Sequence, residues 1–489
     1  MGKRKASDAR IENVVNGLFG TKDTRTLDER RAHGKSLRAE TPLESHAEWV
    51  APSKRPDPVR LLKEQGVTRV QELLPERYKR MSASAFTFYR GAALIMASDL
   101  SHTPVTGIPV QACGDAHISN FGLFNSPERR TVFDINDFDE ASRGPWEWDV
   151  KRLATSVEIC GRDLELAKDE RKEIVLACVK GYCDGMAKFA DMGNLDVWYA
   201  HADIDSLSER FAEQVTGKQR KYARKVIGKA KGKNSSRAIT KFTEVVDGHL
   251  RIISNPPALV PLRDMISLSA IEGTIDAAST EMLLRRALFE YLQSLSPDKR
   301  RLVEQYRGVD CALKVVGVGS VGTRAFIVVM EGANQDDALV LQVKEAQESV
   351  LERFCGKSAY SQHGERVVES QRAMQTVSDM LLGWCRLPGE DGKIKDFYVR
   401  QLWDGKGSIN LDEISAEGLK ALSVACGWTL AHAHARTGDR HEIAGYLGSG
   451  AKFSKAVAKF ARAYAKQNEK DYARFMKALK SGELPSTSA

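Results

Sequence analysis

Apolar residues recur at the helical spacing of three and four through most of this chain, and give way to short β-branched runs from about Val309. Helices are predicted from near Val59, over the AALIMASDL run (92–100), and over Trp146–Arg162, Glu165–Met192 and Asp205–Val215. Further helices are predicted over Thr280–Leu295, Pro297–Tyr306, Glu345–Glu352, Gly364–Leu382, Glu417–Arg436 and Ala451–Leu479. Strands are predicted over Val110–Ala112, Arg130–Ile135, Ala312–Gly317, Thr323–Met330, Leu339–Lys344 and Phe397–Leu402. Three prolines (Pro52, Pro56, Pro58) precede the Val59 pattern, where proline suits the approach to a helix and its first turn. Residues 1–45 are polar and read as a loose arm with one short helix near Ile11–Phe19, and Asn255–Pro261 reads as a proline-rich connector.

Two stretches concentrate the chemistry. The first reads Cys113-Gly114-Asp115-Ala116-His117-Ile118-Ser119-Asn120, then Asp134-Ile135-Asn136-Asp137-Phe138-Asp139-Glu140. Acids this close raise one another's pKa unless a cation or donor sits among them. Mg2+ suits such a place, because it takes one or two carboxylates and fills its shell with water and phosphate oxygens. A solvated acidic turn is the plain alternative. Asp115 supplies a candidate base and Asn120 a second oxygen ligand, a combination that phosphoryl transfer uses.

The second stretch, Gly317-Val318-Gly319-Ser320-Val321-Gly322, matches G-x-G-x-x-G. A dinucleotide fold would continue into a helix. Here Ala325–Val329 continues as a strand, so the pattern fits a hairpin whose glycines cover phosphates, with Lys344 one strand later. A plain turn and an exposed lysine are the alternatives. Arg77, Arg80 and Arg90 either meet phosphate as planar forks or form surface ion pairs. The basic run Lys218–Arg237 allows nucleic-acid contact, with a solvated basic helix and loop the blander reading.

Composition changes this picture little. The chain has 489 residues, 42% apolar and 28% charged, as globular domains do, and its net charge of +8 permits an anionic partner without choosing one. Eight cysteines without a C-x-x-C pair read as reduced, mostly buried thiols, which points to the cytoplasm. The start, MGKRKASDARIENVV, has no apolar stretch behind its basic residues, so no secretory signal is expected, and no run is long enough for a membrane span.

The texts GDAHISNFG, FDINDFDEA, GPWEWDVKRLA, SHAEWVAPSKRPDPV, FTFYRGAA, LQVKEA and GERVVESQR together resemble the bacterial domain-of-unknown-function 2252 family, from about residue 46 to about 440. The motifs are also similar to the aminoglycoside-phosphotransferase branch of kinase-like enzymes. Asp115 and Asn120 keep that branch's spacing, Asp137 stands where its metal-binding Asp would, and Asp149 where its later Asp would. Cys113 departs from its motif histidine.

The resemblance implies an α+β, protein-kinase-like fold of two lobes, a mainly helical large lobe and a small antiparallel-sheet lobe. The glycine loop follows the catalytic loop here, and a helix resembling the one that normally runs into that loop lies at Leu419–Ala435, so the fold is expected to be circularly permuted. The implied division is an arm (1–45), a helical lobe with the catalytic and metal loops (46–305), a β-rich nucleotide-binding lobe (306–405), C-terminal helices completing the large lobe (406–480) and a tail (481–489). The implied activity is ATP- and Mg2+-dependent phosphoryl transfer to an unknown hydroxyl on a small molecule or protein. Nucleotidyl transfer from the same site, and non-catalytic nucleotide binding, remain alternatives. In this reading Asp115 is the catalytic base; Asn120, Asp137 and Asp139 hold metal; and Gly317, Gly319, Gly322 and Lys344 hold phosphates. Lys344 pairs with Glu369, with Glu365 and Glu352 behind it. Asp149 accepts backbone N–H bonds from the catalytic loop.

Overall fold

A computed structural model describes residues 25–200, 235–264 and 277–486, apart from 316, 318, 320, 390–391, 403–406 and 408. The expected helices at Ile11–Phe19 and Asp205–Val215, and nearly all of the Lys218–Arg237 run, lie outside the described residues. The protein is a mainly helical α+β molecule with several small antiparallel sheets.

Helix ends follow their capping chemistry. Asp57 accepts from the Val59 and Arg60 amides and Pro58 opens the helix Pro58–Gly66, so two orphan donors of the first turn are satisfied. Ser415 caps Ala416–Thr437, and Trp146–Asp163 and Ala451–Lys480 run over their predicted stretches. Trp146–Asp163, Lys168–Ala190, Ala416–Thr437 and Ala451–Lys480 pack together with Pro58–Gly66, Leu74–Met81, Ala85–Arg90 and Ala93–Leu100 around the largest core. Trp146 stacks on Tyr182 there, so it packs and does not line the site.

Within this helical body lie β1 (Pro109–Ala112) paired with β4 (Ser142–Pro145), and the hairpin β2 (Phe121–Asn125) with β3 (Thr131–Ile135). The helix Ala416–Thr437 ends against β1: the Gln111 amide donates to Thr437 Oγ1 at 3.2 Å, and Gly438 lies against Val110. Some 300 residues of chain separate these two neighbours.

The larger sheet has six antiparallel strands in the order β11-β12-β10-β9-β8-β7: β7 (Leu259–Pro261), β8 (Arg307–Lys314), β9 (Ala325–Glu331), β10 (Ala338–Ala346), β11 (Gly383–Pro388) and β12 (Ile394–Gln401). A separate hairpin joins β5 (Thr243–Val246) and β6 (His249–Ile252). The period-two alternation of β10 sorts its side chains. Leu339 and Leu341 enter a core with Phe397, Val399 and Tyr291, whereas Gln342 and Lys344 share the other face with their partners Arg400 and Tyr398.

Three expectations change here. The described residues of 235–264 and 277–303 pack on the sheet: Phe242, Ile252 and Leu259 on one part of it, and Tyr291, Leu295 and Val303 on another, so a boundary at 305 cuts through packed cores. No helix forms over Glu345–Glu352, because β10 runs on to Ala346 and only Glu352–Cys355 is helical. The helix predicted to reach Leu382 stops at Met374, and β11 follows.

Candidate functional site

The loop after β1 is held by one carboxylate. Asp149, in the first turn of the Trp146–Asp163 helix, accepts from the Cys113 amide at 2.6 Å and the Gly114 amide at 2.9 Å, and His434 Nε2 lies 3.1 Å from it. Gly114 has φ +74°, and a Cβ there would fall 2.3 Å from the Glu140 carbonyl, so only glycine fits the turn. The turn presents Asp115. Both Arg152 contacts, from Nε at 2.7 Å and from Nη2, fall on Asp115 Oδ1. Oδ2 is left with His117 Nε2 3.7 Å away. Burial raises the Asp115 carboxyl against the pull of Arg152, to about 7.

A 3-10 turn at Ile118–Asn120 folds Asn120 back, so its Nδ2 donates to the Asp115 carbonyl at 2.6 Å and its Oδ1 stays an acceptor. Pairing of Phe121 with Ile135, and the 2.8 Å bond from the Asn136 amide to the Asn120 carbonyl, bring Asn120 and Asp137 to the same end of the β2–β3 hairpin. Residues seventeen apart in sequence thus meet at one place.

The sheet approaches this acidic end with Lys344. Its Nζ is ion-paired with Asp139 and lies 3.8 Å from Asp137 Oδ2. The Tyr398 hydroxyl donates to Asp139 Oδ1 at 2.9 Å, and Arg400 Nη1 to the Asn136 carbonyl at 3.3 Å. Burial alone would neutralise both members of the pair. Lys344 outweighs it and holds the Asp139 carboxyl down at about 2, and the two aspartates raise the Lys344 ammonium.

The glycine turn comes to the same place. Gly317 and Gly322 have φ of +71° and +90°. The turn is tied to the segment before the Asp115 loop: Arg80 Nη1 donates to the Gly317 carbonyl at 2.6 Å, the Val70 amide to the Gly322 carbonyl at 2.8 Å, and Arg69 Nη1 to the Val321 carbonyl at 2.6 Å. A cleft of about 310 Å3 is lined jointly by Asp115, Asn120, Asp137 and Asp139, by Gly317 and Gly319, and by Arg69, Arg77 and Arg90.

The structure therefore brings together Asp115, Asn120, Asp137, Asp139, Gly317, Gly319 and Lys344. Gly322 anchors the turn through its carbonyl instead of lining the cleft. Glu369 is a correction: it pairs with Arg372 at 2.7 Å and does not reach Lys344. Glu365 lies one turn earlier, while Arg366, Val367, Ser370, Gln371 and Met374 take the buried side of the helix. Glu352 is buried against Arg366 at 3.4 Å. That helix contributes Arg366, which donates to the carbonyls of Asp139 and Gln347 at 2.8 Å each and to that of Ala141. Arg366 and Arg69 were not singled out by the sequence; the Val367-Val368 pair that follows Arg366 was the available signal.

The carboxylates of the cleft differ in their freedom to take Mg2+. Asp139, expected to hold metal, stands in this structure as the counter-ion of Lys344, with the Tyr398 hydroxyl on its other oxygen. Among the described residues no three His, Cys, Asp or Glu side chains converge on a metal position. Asn120 Oδ1 and Asp137 remain, which fits an ion that takes one carboxylate and relies on phosphate and water for the rest.

A family model described as "Uncharacterized protein conserved in bacteria (DUF2252)" matches residues 69–478. No curated protein and no solved structure matches the chain. Among the described residues no helix is long and apolar enough to cross a membrane.

Proposed function

We propose that this chain, which belongs to the DUF2252 family of proteins conserved in bacteria, is an ATP- and Mg2+-dependent phosphotransferase acting on a hydroxyl acceptor. The observation that carries the reading is the shared cleft: a base candidate, two oxygen ligands and a glycine turn line one wall-to-wall space, with a buried lysine behind the acids. Phosphoryl transfer needs positioning and charge compensation more than covalent chemistry, and these residues supply both. Asp115 Oδ2 takes the acceptor proton as the acceptor oxygen bonds the γ-phosphorus and ADP leaves. Arg152 fixes the carboxylate's orientation from its other oxygen. Bound with the nucleotide, Mg2+ would be held by Asn120 and Asp137 and would offset phosphate charge. Lys344, freed in part from Asp139, meets the inner phosphates.

A circularly permuted kinase-like arrangement accounts for the order of the parts. Its support is the abutment of Thr437 on Gln111, which lets the helix Ala416–Thr437 lead in space into the Asp115 loop. The test is transfer of label from ATP to the small molecules and proteins of a bacterial extract. Label from the γ position should reach a product, at a rate that falls a hundredfold or more in Asp115→Asn. Label moving from the α position instead would make the chain a nucleotidyl transferase. Nucleotide binding with no transfer from either position would leave a non-catalytic binding module.

A further inference from the structure

We infer that Arg69, Arg77 and Arg90 form a phosphate-binding subsite in the wall of this cleft. Among the described residues the buried and half-buried guanidinium groups of Arg55, Arg152, Arg324 and Arg366 each sit against a carboxylate, even though Nε of Arg324 and of Arg366 has no hydrogen-bond partner. Arg55 bonds Asp99 and Asp471, Arg152 bonds Asp115, and Arg366 bonds three carbonyls. The three cleft arginines depart from that habit. Arg77 is fully buried; its Nη2 donates to Gln65 Oε1 at 3.2 Å and to the Gly91 carbonyl at 3.1 Å, while Nε and Nη1 have no partner. Arg69, 9% exposed, has only the Val321 carbonyl on Nη1, and its Nε is buried without a partner, as is that of Arg90. Among the described residues, no carboxylate lies within ion-pair distance of any of the three.

Burying an unpaired cation is unfavourable, and an unmade hydrogen bond adds to that. Three such groups converging on one cleft are best balanced by an anion with several oxygens. A carboxylate would saturate a single guanidinium fork, whereas a phosphate offers oxygens to more than one. Burial pulls the Arg77 pKa down and the like charge of Arg69 adds to this, a strain that a bound dianion reverses. Arg90 feels Asp115 and Asp137, which sets the subsite beside the reactive carboxylates. Its source is either the terminal phosphate of the nucleotide or a phosphate carried by the acceptor. The subsite deepens the phosphotransferase reading and rests on it for the ligand's role in turnover, not for the binding of phosphate.

The experiment is a titration of the full chain with inorganic phosphate, read by calorimetry and thermal unfolding, repeated for Arg69→Gln, Arg90→Gln and Arg90→Lys. Saturable stabilisation of the wild type, weakened tenfold or more in both Gln variants and partly restored by Lys, is expected. Phosphate excluded by ATP–Mg2+ but not by ADP–Mg2+ assigns the subsite to the nucleotide. Phosphate that still binds beside ATP–Mg2+ assigns it to the acceptor. No saturable phosphate binding, or equal affinity in wild type and Gln variants, overturns the inference even where ATP–Mg2+ binds normally. Phosphate binding lost in the variants of a chain that never binds ATP sustains the inference and removes the phosphotransferase reading.

Discussion

Lys344 stands between two aspartates, 3% exposed, and is the residue whose removal is felt most directly. Lys344→Met leaves Asp139 partly buried with the Tyr398 hydroxyl in place of a counter-ion. Breaking a buried pair from one side costs about 3–5 kcal/mol, so unfolding in denaturant should show a loss toward the lower end, since Asp139 is one-quarter exposed. The pair also sets an acid limit. The Asp139 carboxyl is held at about 2 against an ordinary 3.8, so its stabilisation is complete above about pH 4 and disappears as pH falls toward 2. Asp115 has the opposite sign. With a folded pKa of about 7 against 3.8, the folded chain keeps the proton longer, and the residue lowers stability as pH rises from about 4 to 7. As a base it must be ionised, so kcat/KM should rise with pH and level off above about 7, and Asp115→Asn should abolish both slopes. At this scale the sequence was informative about placement: Asp115, Asn120 and Asp137, singled out by type and spacing, line one cleft. It was silent on which acid meets Lys344. On paper Glu369, with Glu365 and Glu352 behind it, is the expected partner and Asp139 is kept for metal; the helix's rotation, set by its apolar side, turns Glu369 away, and Asp139 takes its place.

The helix Trp146–Asp163 is the element on which the Asp115 loop is mounted. Its first turn supplies Asp149 to two loop amides, its second supplies Arg152, and its third supplies Ser156, which accepts from the Ile118 amide at 2.9 Å. Asp149→Ala would orphan two buried amides and the His434 contact, at about 1–3 kcal/mol for each group left unmade. Thermal unfolding should show a clear loss of stability, and nucleotide-dependent activity should fall with it as the Asp115 turn loosens. Asp149→Asn, which keeps one acceptor oxygen, should be milder in both. Long helices were legible because periodicity accumulates over many residues, as in Ala416–Thr437 and Ala451–Lys480. The short strands β2, β4 and β11 were not. β4 is Ser-Arg-Gly-Pro, which carries no β signal of its own and is a strand only because β1 pairs with it.

The whole molecule brings described residues from 64–94, 115–140 and 317–353 to one cleft, and this is the scale at which sequence reasoning had least to work with. The glycine turn and the acidic loop could be matched as parts of one site, and Arg77 and Arg90 could be put forward with Arg80 as phosphate forks, but nothing in the sequence says that Arg69 joins them or that the three are buried without counter-ions. The interior charge distribution makes a general prediction: anionic ligands should stabilise the chain more than neutral ones of equal size, by RT ln(1 + [L]/Kd), and less at high salt. The most direct test of the central claim is calorimetric titration of the full chain with ATP, with and without Mg2+, alongside Asp137→Asn and Lys344→Met. Saturable binding that requires Mg2+ and weakens tenfold or more in each variant is predicted. Absence of binding, or binding of unchanged affinity without Mg2+ and in both variants, would contradict it.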